Sequence, residues 1–146
     1  MGVLIDNKQN KHKISPEKIR QKARAILNAL DSPDGELSIL IVDDPQIALL
    51  NKDYLHREGP TNVIAFPMRE GNFSDINPQL LGDVVISIET AKKEGEKADI
   101  SMEQRFTELL VHGILHLFGY DHEKTEQEAV DMQLKTDALL KLIERI

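Results

Sequence analysis

Cysteine is absent from this chain. That excludes disulfides, thiolate metal sites and a cysteine nucleophile, so any bound metal must take His, Asp or Glu as ligands. No apolar run reaches the roughly 18 residues a membrane span requires. The first residues, Met1 to Lys13, lack the apolar stretch of a signal peptide. The expected location is therefore cytoplasmic, and the missing cysteines agree with it. Positive charge is also short: 18 Lys and Arg against 25 Asp and Glu leave a formal net charge of -7. That argues against a protein that grips nucleic acid by bulk charge. Internal repeats and low-complexity tracts are lacking as well.

What is present suits a folded globular protein. The 146 residues are 40% hydrophobic and 29% charged, enough for one sizeable core, and a single domain over residues 1–146 is expected. The scarce positive charge is gathered early, at Lys8, Lys11, Lys13, Lys18, Arg20, Lys22 and Arg24, interrupted only by Glu17. Two readings stay open for this run: a surface that faces phosphates, or the solvated side of an N-terminal helix, which is the commoner use of such a pattern.

Val3-Leu4-Ile5 reads as a first strand. Ser15-Pro16 opens a helix, since serine accepts from an orphan amide and proline at the first turn loses no needed donor. Ile19, Ala23, Ile26, Leu27 and Leu30 keep helical spacing to the turn at Pro33-Asp34-Gly35. A β-branched strand covers Leu37 to Val42. Asp44-Pro45 starts a second helix, with Ile47, Leu50 and Tyr54 toward the core, broken at Gly59-Pro60. Asn62 to Phe66 is a third strand, the expected antiparallel or edge member, and Arg69 to Leu80 reads as a mobile loop. Asp83 to Ser87 is a fourth strand, followed by a helix over Glu89 to Lys97. Ser101 with Gln104 and Thr125 with Glu128 form capping-box patterns for two more helices. The expected fold is α+β: a single mixed β-sheet of about four strands packed with about five helices, with a zincin-like metal site on a central helix.

The chemistry concentrates in that central helix. Arg105 to Phe118 is apolar around most of its circumference and so must be buried. One stripe differs: Arg105, Glu108, His112 and His116 fall about four residues apart on a single side. The imidazoles of His112 and His116, one turn apart, can converge on one cation. Gly119 can take a left-handed conformation, end the helix and let the chain return His122 to the same ion. Three protein ligands leave a fourth tetrahedral position open, as in a catalytic rather than a structural zinc site. The bland alternative is three histidines packed in a core or exposed at a helix end. Unpaired buried imidazoles would cost about 1–3 kcal/mol per group, a penalty that a metal removes.

The spacing H-x-x-x-H-x-x-G-x-x-H equals that of the metzincin peptidases, except that their general-base glutamate is replaced by Gly113. Glycine cannot take a proton from water, which argues against ordinary peptide hydrolysis. It is also read here as room for a bulky substrate group.

The run from His112 to His122 resembles the signature of the YbeY family, bacterial metal-dependent endoribonucleases of ribosomal RNA maturation. Leu50-Asn51 with Tyr54 and Pro60 to Pro67 look like a second block of that family, and Leu81 to Ser87 with Glu89-Thr90-Ala91 like a third. The resemblance implies a zinc-dependent, single-strand-specific endoribonuclease in 16S rRNA 3′-end processing and ribosome quality control, with RNA and ribosomal particles as partners. One departure is visible: Leu55 stands where the family usually has an arginine, and the nearest arginine is Arg57. Either Arg57 substitutes, clamping a phosphate through paired donors, or the contact is missing.

The expected metal ligands are thus His112, His116 and His122, holding one Zn2+ ion, although three imidazoles also suit nickel, copper or cobalt. The expected catalytic residues are Arg57, stabilising charge on phosphorus, and Asp121, orienting a ligand or accepting a proton. Glu108 has the same two readings as Asp121, and His56 is a weaker proton-transfer candidate. A metzincin-like zinc peptidase remains an alternative. So does a non-catalytic ribosome-assembly factor with a structural metal.

Overall fold

A computed structural model describes residues 2–68, 79–120 and 125–146. Within them the elements run β1 (Val3–Asn7), α1 (Pro16–Ala29), β2 (Glu36–Val42), α2 (Asp44–Leu55), β3 (Val63–Pro67), β4 (Leu80–Ser87), α3 (Ile88–Ala98), α4 (Met102–Leu117) and α5 (Glu126–Ile143). This is the expected order and the expected α+β class. No helix among the described residues is long and apolar enough to cross a membrane.

The strands form one sheet in the order β1-β2-β4-β3. β1, β2 and β4 are parallel neighbours, while β3 runs antiparallel to β4 at the edge. Helical crossovers join the parallel strands, as parallel pairing requires. The expected mobile loop lies mostly outside the described residues, but its last residue, Leu80, already belongs to β4. The β2–β4 register shifts at that end: Glu36 pairs with Leu80 and Leu37 with Gly82.

Strand alternation divides the core in two. Ile39, Ile41, Val84 and Ile86 point to the side covered by α1, α4 and α5, where Ile26, Leu110 and Ile114 meet them. Val42, Ile64 and Val85 point to the other side and meet Ile47 of α2. Burial of each such side chain is worth about 1.5–3 kcal/mol against leaving it in water. Tyr54, expected in this core, is 64% exposed. It instead sets its ring edge-on against Phe66, with centroids 5.6 Å apart.

The starts of α1 and α2 follow the sequence. Ser15 Oγ accepts from the Lys18 amide ahead of Pro16. α2 begins at Asp44-Pro45 as expected, and the residue before it, Asp43, is its cap, forming a complete reciprocal box with Gln46. This frees the Asp44 carboxylate, which accepts from the Ser87 and Thr90 hydroxyls and from Lys93 Nζ and so fastens α2 to α3. Burial alone would raise the Asp44 pKa, but the hydrogen bonds from Lys93, Ser87 and Thr90 outweigh it and hold the carboxyl below its ordinary value.

Candidate functional site

Helix α4 places the candidate site. Ser101 Oγ accepts from the Gln104 amide at 3.0 Å and fixes its start. Phe106, Leu110, Val111, Ile114 and Leu115 are buried, whereas Arg105, Glu108, His112 and His116 are half-buried along one stripe. The side chains of the stripe therefore meet solvent from within an apolar helix.

Gly113 faces the sheet. A Cβ at that position would lie 2.6 Å from Val84 Cγ1 and 3.2 Å from Val63 Cγ2. The glycine is thus needed for the close approach of α4 to β3 and β4, and the expectation that it clears space for substrate is not met. The same packing leaves no room for a glutamate at the metzincin base position.

The helix ends as its glycine suggested. Gly119 has φ +90, its amide donates to the His116 carbonyl, and the Tyr120 amide reaches back to the Leu115 carbonyl. This pair of bonds is a Schellman stop, which satisfies two orphan carbonyls and turns the chain out of the helix at Gly119, three residues after His116.

His112 Nε2 and His116 Nε2 lie 2.9 Å apart, with the rings edge-on at 72°. Zn–N bonds of roughly 2.0–2.1 Å from both nitrogens can meet at one point, because 2.9 Å is less than twice that length. The pair fits a divalent metal that prefers nitrogen. Among the described residues no group of three candidate ligands occurs. The third expected ligand, His122, and the expected catalytic Asp121 lie outside the described residues.

Arg57 lies in the exposed segment that follows α2. The chain turns there through His56, which takes a left-handed conformation at φ 57 and is itself exposed. Buried Asn51 pins this segment: its side-chain amide donates to the Gly59 carbonyl at 2.9 Å, and its own carbonyl accepts from the Arg57 amide. Among the described residues, the Arg57 guanidinium makes no ion pair or hydrogen bond, and none joins it to the histidine pair.

A network that the sequence did not reveal flanks His112. Glu94 of α3 accepts from Arg105 Nε at 3.0 Å and from the Asn62 amide at the head of β3. Arg105 Nη1 also donates to Glu108 at 2.8 Å. Burial works to lower the Arg105 pKa, but the Glu108 and Glu94 carboxylates overcome it and keep the guanidinium charged. The Arg105–Glu108 pair is legible from its i,i+3 spacing. Glu94 carries no local signal.

The early basic run is largely committed to internal contacts. Lys8 pairs with Asp6, Lys11 with Glu89 and Arg20 with Glu17. Lys22 is buried, with Nζ 2.8 Å from Thr107 Oγ1. These pairings suit the solvated-face reading of the run. Lys13, Lys18 and Arg24 are what remains unpaired among the described residues.

The chain is similar to known proteins over nearly its whole length. Residues 4–144 match the family model described as Endoribonuclease YbeY. The protein of that name from Geobacter metallireducens is 47% identical over 146 residues, covering 99% of this chain and 97% of its own. The Geobacter sulfurreducens protein is 48% identical over 145 residues with the same coverage. The one from Aquifex aeolicus is 42% identical over 138 residues, covering 92% of this chain and 89% of its own. A solution structure from Thermotoga maritima shares the fold, with TM-score 0.71 at 23% identity over 97% of this chain and 88% of that one.

Proposed function

The chain belongs to the endoribonuclease YbeY family, and from that premise we propose that it is a metal-dependent endoribonuclease of single-stranded RNA. Its place is the cytoplasm, on ribosomal particles, in ribosome quality control and in maturation of the 16S rRNA 3′ end, as one domain over residues 1–146. The observation that carries this reading is the convergence of the His112 and His116 nitrogens, 2.9 Å apart, on the half-buried stripe of α4. His122, three residues past the Gly119 stop, is the third ligand of one Zn2+ ion. When bound, that ion supplies positive charge where phosphodiester cleavage develops negative charge.

The remaining roles fall to the chain itself. Arg57, unpaired among the described residues and held at its backbone by Asn51, offers paired donors to a phosphate. Asp121, beside the third ligand, orients an imidazole through its second nitrogen. The Schellman stop at Gly119 fixes where the returning segment leaves α4.

The peptidase alternative is disfavoured by the packing of Gly113 on Val84, since a general base has no place there. Incubating zinc-loaded protein with single-stranded RNA and with unfolded casein, beside a His116→Ala control, tests the choice. Cleavage of RNA that disappears in the control is the expected result. Proteolysis that disappears in the control, with RNA intact, would overturn it.

A further inference from the structure

A groove of about 580 Å3 runs between α4 and α5, and His112 is part of its lining. Its polar groups come from three elements: Asn62 at the head of β3, Glu108 with Arg105 on α4, and Gln133 with Asp137 on α5. Leu109 and Leu140 add apolar surface.

Each polar group is half used. Glu108 Oε1 accepts from Arg105 Nη1, Asp137 Oδ1 accepts from Gln133 Nε2, and the Asn62 amide nitrogen donates to Glu94. Among the described residues, no hydrogen bond reaches Glu108 Oε2, Asp137 Oδ2 or Asn62 Oδ1. The side chains are therefore held in place while three acceptor atoms remain unspent. Two carboxylates line the groove against one guanidinium, and that guanidinium is already shared with Glu94. A phosphate is a poor occupant of such a place. A flat, neutral group rich in N–H donors is a good one, because carboxylates act only as acceptors.

We propose that this groove is a nucleobase subsite with a preference for guanine, next to the phosphate that is cut, and that Glu108 is its principal reader. The proposal rests on the nuclease reading given above. Guanine is the base whose Watson–Crick edge sets N1–H beside the N2 amino group, two adjacent donors for one carboxylate. Cytosine and adenine each present a single amino group, and uracil one ring N–H. Such an edge is open only in an unpaired strand, where bases are read by their Watson–Crick edges. Arg105 and Glu94 act as positioning residues, since they fix Glu108 and Asn62 without being needed to touch the base.

The test uses the purified full chain and short single-stranded RNAs that carry one guanosine, inosine or adenosine at the same place. Affinity is read by fluorescence anisotropy with chelator present, so that nothing is cut. The guanosine RNA is expected to bind about tenfold tighter than the inosine RNA, which lacks only the amino group. In Glu108→Gln that ratio falls to about one. Asp137→Asn, on the exposed side of α5 where folding is not at stake, lowers it in part. Equal affinity for the three RNAs, or a preference that survives in both variants, would overturn the proposal. Cleavage of the same RNAs by zinc-loaded protein separates the two ideas. Cutting without any base preference removes the subsite and leaves the nuclease standing, whereas RNA that is neither bound nor cut removes both.

Discussion

Helix α4 turns one side to the sheet and the other to α5 and the groove, and the two sides are made from different residues. Toward the sheet, Gly113 lets the backbone approach until even a Cβ would strike Val84, and Leu110, Ile114 and Leu117 close the rest. Away from it lie Arg105, Glu108, His112 and His116, half-buried, and the first three of them line the groove. The first side holds the helix in place and the second uses the place so fixed. Chemistry should therefore be separable from stability by substitution on opposite sides of one helix.

The largest effect is expected on the stripe. His116→Ala should lower RNA cleavage by more than about a hundredfold, since even outer-sphere partners of a metal ligand cost 10–100-fold when removed. That corresponds to about 2.7 kcal/mol or more of lost barrier reduction. Zinc stoichiometry measured by atomic absorption should fall with it, while the urea midpoint of the metal-free protein stays close to that of the parent. A midpoint that collapses instead would make the histidine a packing residue and blur the distinction between the sides.

Gly113→Glu acts on the other side and restores the peptidase motif in sequence. It should create no peptidase. It forces a carboxylate against Val84 and Val63, and the loss of stability is expected at about 3 kcal/mol or more, from overpacking together with an unpaired buried charge. Urea denaturation measures the loss, and casein hydrolysis by a stable, folded variant would contradict the packing argument.

What could be read from the sequence was what lies close along the chain. The stripe on α4, the glycine stop after His116 and the Pro16 helix start all involve partners within about four residues, where helical geometry alone determines the neighbours. The order of elements and the antiparallel place of β3 also followed from pattern and connection rules. Distant partners were out of reach. Asn62 meets Glu94 across 32 positions, and Lys22 meets Thr107 across 85, so nothing in local spacing announces either contact. The start of β4 was missed for another reason: Leu80-Leu81-Gly82 looks like the end of a loop, and its pairing depends on a register shift against β2. Gly113 was read as substrate space because glycine in a helix shows only that a side chain is absent, not which neighbour requires it.

Away from the site, the Asp44 cluster offers a contrast to the half-used stripe, because its carboxylate is saturated by two hydroxyls and an ammonium. Asp44→Ala should cost about 1–3 kcal/mol, as the Ser87 and Thr90 hydroxyls lose their acceptor. Since the folded-state pKa of Asp44 lies below its unfolded value, this stabilisation is present above about pH 4 and is lost as the pH falls through the folded pKa. The stability difference between parent and variant should therefore shrink in acid when urea curves are compared from pH 6 to pH 3. A difference that stays constant would show that the ionised form is not what fastens α2 to α3.

The smallest effect is expected at Lys22, where α1 meets the N-terminal half of α4. Burial holds its pKa below the ordinary lysine value, and the charge of Glu103 offsets this only in part. Replacing a buried ion by an apolar group of similar size is often neutral or stabilising, provided that no partner is stranded. None is stranded in Lys22→Met: the Thr107 hydroxyl keeps its bond to the Glu103 carbonyl, and the Glu103 side chain is 58% exposed. The variant should therefore match the parent within about 1 kcal/mol at neutral pH. The parent should gain stability as the pH rises from the folded pKa of Lys22 toward its unfolded value, because over that interval the unfolded chain binds the extra proton. In Lys22→Met that gain should be absent. A large loss at neutral pH would mean that the buried ammonium holds α1 to α4, and that this end of α4, unlike its stripe, depends on charge for its packing.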